Sequence, residues 1–532
     1  MPAGSVERDA CSMRHAPRHR TLAIGACIAC LVLCSSPALC QDAEPDPVAA
    51  AADPNCGGLR TGTTVVNTVR SLFGRKVPSL LSRVRAGNYC ASSQAIGAER
   101  DIDNQRGIYP AGLIRLPKFT NYANALLERL KEATTLTDVP GAVHVVADPG
   151  FGAKSTADGN IYVSFGSLDV LESEAALVAL LAHELAHVVL AHFESDVFTS
   201  IQKQFQTVAG LGAGLRRSLE SYQRTGTAKS TLATRDQQQL QRLQLIIDVS
   251  DNVLHPAWNR RQELEADRFA LDLTQRLGYS YASGLKAVLE HIEAAEDAQN
   301  AKAEARRAEA QQLAASDIGK QFSADLKQMF DQLSRKHDDA KARLSAIDTY
   351  FNQTYPDAPA ARSQPTDFKA VVQSADVKRV LEGYRIAFRA EDLLEQGQPK
   401  QALNEAQRAA GARGAVSSHA FPLLVLSRAL RRAGQAAPAN AVLVRSTRAA
   451  EPAIAAHREY AEQLVREGKR AAAYSEMENT FERFRKAPIL YVELIGFFSR
   501  HGRQDRAQQL LSECTLTLPS IREACARAAQ GS

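Results

Sequence analysis

The sequence predicts two folded parts in series. A mainly α domain with a small β-sheet (α+β) spans residues 109–352, and an all-α array of helical repeats spans residues 381–528. Three observations lead there. The β-branched runs Val143 to Val146 and Ile161 to Val163, bounded by Pro149-Gly150 and Asp158-Gly159, sit among long helical patterns and read as two neighbouring strands. A proline-rich break from Tyr355 through Pro356, Pro359 and Pro365 closes that region, and residues 353–380 form a linker. Beyond it, glycines recur at a nearly constant interval. Composition agrees: 45% apolar and 23% charged residues describe a globular chain, and 532 residues exceed one ordinary domain of roughly 100–200. With 64 Lys+Arg against 59 Asp+Glu, the net charge of +5 is too dilute for a phosphate backbone, so nucleic acid is not an expected partner.

The chain begins with Arg8, Arg14, Arg18 and Arg20, followed by the apolar stretch Thr21 to Leu33 and the small residues Ser35, Ser36 and Ala38. Basic, apolar, small-residue order is a secretory signal, and the apolar stretch is shorter than the roughly 20 residues a spanning helix needs. Cleavage is expected after Cys40, so residues 1–40 are a removable signal and the mature protein is exported. Ile24-Gly25-Ala26-Cys27 loosely matches a lipoprotein signal, but the apolar core before it is too short. Of nine cysteines, cleavage leaves Cys56, Cys90, Cys514 and Cys525, and two local disulfides, Cys56 with Cys90 and Cys514 with Cys525, are the simplest pairing. Residues 41–108 then form a tether and a cysteine-bearing segment, of which Ala43 to Pro54 has almost nothing to bury.

In the C-terminal part, Gly397, Gly434, Gly468 and Gly502 stand 37, 34 and 34 residues apart, and Ala402, Ala439, Ala473 and Ala507 each follow five residues later. Each glycine is expected to end one helix, and each alanine to let the next helix approach it closely. A 34-residue helix-turn-helix period resembles the tetratricopeptide repeat. The resemblance implies a concave solenoid that binds peptides or a partner protein.

Between these parts lie two chemically informative helices. Ala175 to Ala191 is apolar except for His183, Glu184, His187 and nothing else of charge, so it is expected to be buried nearly all round. At about 100° per residue, His183, Glu184 and His187 fall within one narrow arc. A buried carboxylate beside two imidazoles costs several kcal/mol unless a positive group satisfies it, and a metal ion does so. The pattern is H-E-x-x-H, with His183 and His187 as zinc ligands and Glu184 as the base that takes a proton from water. His192, nine residues after His183, is expected to face away as a capping or packing residue.

Arg261 to Leu273 reads as a second helix. Glu263 and Asp267, one turn apart, project from the middle of its apolar face, whereas Glu265, Arg268 and Asp272 fall on the solvated one. Glu263 is therefore the candidate third ligand, completing a His, His, Glu set with an open position, and Asp267 is placed to orient a ligand histidine through its other ring nitrogen.

HELAH at residues 183–187 followed by ELEAD at residues 263–267 resembles the zinc metallopeptidases of the HtpX, Oma and CaaX-prenyl-protease type. Export and trailing repeats are similar to the periplasmic BepA-like branch. The resemblance implies one zinc ion and a catalytic His337, as oxyanion donor or as a latch over the metal, supported by Arg343; Asp338 stands where the family carries proline. It further implies an endopeptidase acting on unfolded or misassembled envelope proteins, recruited by a protein partner on the repeats, with peripheral membrane association compatible. A strand at Ile161 to Val163 is expected to pair with an extended substrate. The contrasting expectation is a repeat-based adaptor or chaperone whose metal is mainly structural. Val208 to Leu215, Arg224 to Gln239 and Ala294 to Ser316 read as insertions.

Overall fold

The computed structural model describes residues 81, 84, 86–194, 255–297, 339–356, 367–411, 416–518 and 521–530. The signal, the tether, Cys56, His337 and most of the three insertions lie outside the described residues. No helix among the described residues is long and apolar enough to cross a membrane.

A three-stranded sheet lies at the centre of the first part. Strands β3 (Val143–Val146), β4 (Ala153–Ser155) and β5 (Ile161–Ser164) follow a minor two-residue pair, β1 (Gly87–Asn88) with β2 (Leu136–Thr137). The order is β3-β5-β4, with β3 parallel and β4 antiparallel to β5. The two β-branched runs are thus neighbours, and every residue of β5 is buried. Ile161–Val163 cannot receive a substrate strand, contrary to the sequence expectation, because both of its edges are already paired. The short, weakly β-like Ala-Lys-Ser of β4 gave no alternation signal, yet it takes that edge and becomes the border of the sheet.

Helices α1 (Ala98–Ile108), α2 (Pro117–Ala133), α3 (Phe165–Val170) and α4 (Glu174–Val189) surround the sheet. Ser173 caps α4 by accepting from the Ala176 amide at 3.1 Å. From Ala176 to Ala186 every residue of α4 is buried, which is why its sequence is apolar on all sides. Helix α5 (His255–Arg276) lies along it, and α6 (Asp339–Thr354) lies along α5. One predicted face of α5 is corrected by that neighbour. Asp272 is buried, not solvated, and accepts from Tyr350 Oη at 2.9 Å and Tyr355 Oη at 2.7 Å, because α6 and the residue after it cover that side.

Two backbone segments meet closely where β3 begins. Gly141 has φ +92°, and a Cβ there would stand 1.9 Å from the Gly159 carbonyl oxygen. Gly141→Ala is therefore expected to destabilise the protein by about 1–3 kcal/mol, from overpacking and the left-handed backbone together, seen as a lower midpoint in urea unfolding.

The second part consists of paired helices: α7 (Phe368–Val372) leads into α8 (Ala375–Glu395) with α9 (Pro399–Ala410), α10 (Ala420–Arg432) with α11 (Ala436–Thr447), α12 (Ile454–Arg466) with α13 (Arg470–Arg483), and α14 (Pro488–Arg500) with α15 (Gln504–Thr517). A last helix, α16 (Arg522–Ala529), lies on α14. The periodic glycines all have φ between 71° and 86° and close the first helix of each pair. The amide after each reaches five residues back, Gln398 to Leu393, Gln435 to Leu430, Lys469 to Leu464 and Arg503 to Phe498, a left-handed helix end that glycine adopts without strain. The four alanines are at most 2% exposed. Cys514 and Cys525 form a disulfide that ties α15 to α16, and Cys90 is also disulfide-bonded.

The paired helices are bound to the first part through α1. Asn104 Oδ1 accepts from the Ile489 amide at 2.8 Å, and Asp103 and Arg106 meet Arg485 at 2.6 Å and Glu451 at 2.9 Å. Gly107 sits under Ile489 with no room for a side chain. The folded domain therefore starts ahead of Tyr109, inside the segment the sequence assigned to residues 41–108.

Candidate metal centre

Helices α4 and α5 bring three potential ligands together: donor atoms of His183, His187 and Glu263 all lie within 4.8 Å of one another. His183 Nε2 is 3.2 Å from His187 Nε2 and 3.3 Å from Glu263 Oε2, and His187 Nε2 is 3.5 Å from Glu263 Oε1. The spacing of four residues on α4 sets the two rings side by side, and the apolar stripe of α5, with Phe269, Ala270 and Leu273 fully buried, fixes the rotation that presents Glu263.

The other ring nitrogens are held from behind. Asp267, fully buried, meets His183 Nδ1 at 2.9 Å. Arg343, from α6, donates Nε and Nη2 to the two oxygens of Asp267 at 2.8 and 2.9 Å and reaches Glu263 Oε2 at 3.1 Å. Arg343 therefore clamps Glu263 and Asp267 of α5 together, which the sequence did not indicate. His192 also occupies an unanticipated place. Helix α4 stops at Val189, Ala191 turns with φ 52°, and the short 3₁₀ segment His192–Glu194 carries His192 Nδ1 back to 2.9 Å from His187 Nδ1. Counting helical angle past the end of the helix put His192 on the wrong side. Donation from His187 Nδ1–H to His192 Nδ1 leaves the lone pair of His187 Nε2 toward Glu263, and His192 Nε2 then lies 3.7 Å from Glu265 Oε2.

These residues fit a divalent cation. Both Nδ1 atoms are engaged, so both Nε2 atoms converge with a carboxylate on one point, a His, His, Glu donor set with ordered outer partners. Electrostatics agree. Burial disfavours a charged ring at His183, but Asp267 and Glu263 outweigh it and push its pKa up to about 10. Burial, reinforced by the His183 charge, brings His187 down to about 3. Burial would raise the Glu263 carboxyl, yet His183 and Arg343 hold it well below the usual carboxylate range. The negative charge concentrated at this point favours a cation there.

Glu184 stands beside the cluster without joining it. Ser155, the last residue of β4, donates both its amide (2.7 Å) and its hydroxyl (2.8 Å) to Glu184 Oε2. Burial raises the Glu184 pKa, against the lowering effect of His183 and these two bonds. Sequence reasoning missed Ser155, since a serine in a three-residue strand carries no local signal. Glu184, the three potential ligands, Asp267 and Arg343 line one cavity of about 390 Å³, whose remaining wall is Phe151 to Ser155, Leu180, Phe193, Leu285, Val288 and Ile292.

Residues 121–351 match peptidase family M48. The chain carries an M48 peptidase domain. The match spans α2 to α6 and so contains every residue of the cluster. Two curated metalloproteases are also similar. The mitochondrial metalloendopeptidase OMA1 of Schizosaccharomyces pombe is 34% identical over 73 residues, 14% of this chain and 22% of that protein. The metalloprotease LoiP of Escherichia coli is 25% identical over 183 residues, 34% of this chain and 62% of that protein. The chain thus spans less than two thirds of either relative. The paired helices from Phe368 onward lie outside the M48 match.

Proposed function

We propose that the protein is an exported zinc-dependent endopeptidase of the M48 type that cleaves unfolded or misassembled envelope proteins. The carrying observation is the pairing of a His183, His187, Glu263 donor set with a separate carboxylate, Glu184, held by Ser155 at the same cavity. A structural metal needs no such neighbour. Zinc, when bound, polarises the scissile carbonyl and acidifies water. Glu184 takes the proton of the attacking water and delivers it to the leaving amine. His183 and His187 are kept in register by Asp267 and His192, and Arg343 balances the charge of the two α5 carboxylates.

An extended substrate is received at β4, the edge strand on the cavity side of the sheet, whose residues Ala153 to Ser155 border the cavity. Main-chain pairing there gives affinity with little sequence preference, as suits a protease of unfolded chains. The four helix pairs supply the surface that recruits substrate or an assembly partner, in the manner of tetratricopeptide repeats. Export is supported by the Cys514–Cys525 disulfide, which persists in an oxidising compartment such as the periplasm.

The direct test uses the purified mature chain. Close to one zinc per chain and cleavage of an unfolded reporter protein are expected. A chelator should abolish cleavage and added zinc should restore it. A zinc-loaded chain that cleaves nothing removes this reading in favour of a repeat-based adaptor with a structural metal, and a metal-free chain that cleaves as fast as the loaded one overturns the zinc dependence.

A further inference from the structure

We propose that Asp101 is a positioning residue for Glu184, acting through the β4–β5 hairpin; the proposal rests on the reading of Glu184 as the hydrolytic base. Asp101 lies on α1, outside the M48 match, and is 3% exposed. Its Oδ2 accepts from Thr156 Oγ1 at 2.7 Å, Tyr162 Oη at 2.8 Å and Asn160 Nδ2 at 2.9 Å. All three donors belong to the hairpin: Tyr162 is in β5, and Thr156 and Asn160 flank the turn, closed by the Thr156 amide on the Asn160 carbonyl at 3.0 Å. The tie is reciprocal. From that turn, Asp158 accepts from the amides of Ile96 and Gly97 at 3.1 and 2.7 Å, at the start of α1. Helix and hairpin are therefore laced together by one carboxylate from each side.

A buried carboxylate needs compensation, and among the described residues no basic side chain pairs with Asp101. It is satisfied by neutral donors, and such charge-assisted bonds are shorter and stronger than neutral ones. Pairing of β4 with β5 already closes the hairpin, so what the carboxylate adds is fixed placement of residue 156. The adjoining residue is Ser155. Both of its bonds fall on Glu184 Oε2, and Oε1 has no protein partner among the described residues. Holding one oxygen from one side determines where the other points, and proton transfer from water depends steeply on that aim. Asp101 itself touches no metal ligand. Its loss should reduce the reaction step while leaving zinc binding and substrate binding in place.

The test compares full-length, zinc-loaded variants on a peptide reporter, with zinc affinity and unfolding followed alongside. Asp101→Asn is expected to lower kcat by about 10- to 100-fold, since a displacement of the order of 1 Å has such a cost, with KM and zinc affinity unchanged within about two-fold. Thr156→Val should show the same split with a smaller loss. Combining Asp101→Asn with Ser155→Ala decides the route: Ser155→Ala removes the hydroxyl bond and keeps the amide bond to Glu184, so if Asp101 acts through Ser155 the double variant loses less than the product of the two single losses, whereas independent effects multiply. Multiplying effects overturn the proposal, as does Asp101→Asn with kcat within about two-fold of wild type. If Asp101→Asn does not fold, an unchanged kcat for Thr156→Val overturns it instead. A lower unfolding midpoint with kcat unaltered assigns Asp101 to the scaffold only. Should Glu184→Gln remain active, the reading of the base has failed; Glu184→Gln inactive with Asp101→Asn normal means that only the present proposal has failed.

Discussion

Glu184→Gln is expected to lower hydrolysis of an unfolded protein by about 10²- to 10⁴-fold, the contribution of a positioned general base, with zinc still bound. The substitution is nearly isosteric, and its amide oxygen can accept the two Ser155 bonds that Glu184 accepts now. What is lost is the capacity to hold a proton between water and the leaving amine. His183, His187 and Glu263 are untouched, so zinc content measured on the same sample separates loss of the base from loss of the metal. Hydrolysis close to the wild-type rate by the zinc-loaded variant would falsify the assignment of Glu184.

Arg343→Ala is expected to have the largest effect on stability. The side chain is buried, binds both oxygens of the fully buried Asp267 and reaches Glu263 at 3.1 Å. Its removal leaves two carboxylates facing only the rings of His183 and His187, and breaking a buried pair from one side costs about 3–5 kcal/mol. Because Asp267 orients His183 at 2.9 Å, zinc affinity should fall as well, by about 10- to 100-fold. Lysine should not rescue it, since an ammonium cannot make the forked contact to Asp267. Urea unfolding of the metal-free protein and a zinc titration give the two quantities separately. Unchanged values in both would mean that solvent already shields these carboxylates.

Much of the centre was legible because its chemistry is local. His183, Glu184 and His187 share one helix, and Glu263 and Asp267 share another, so helical angle alone grouped them. The residues that escaped are held by tertiary contacts. Ser155 is defined by the strand beside β5, and His192 by the end of α4 and the turn at Ala191. Arg343 was picked out by its resemblance to a family motif, but the carboxylates it clamps became visible only when α6 was laid along α5. Asp272 was misplaced for the same reason: an amphipathic count cannot see a second helix covering the polar side.

The helix pairs show the complementary case. Glycine at a left-handed helix end and alanine at a close crossing are demands of backbone and side-chain size at single positions, so the sequence by itself determined the period and the packing partners within each pair. It also determined the donor types and hence the class of cation they would hold. Only the tertiary structure decided which strand is the edge, which side of Glu184 is held, and that α1 joins the paired helices to the hairpin behind the base. Those relations connect residues as distant as Asn104 and Ile489, and no local periodicity encodes them; they follow from which surfaces are buried together.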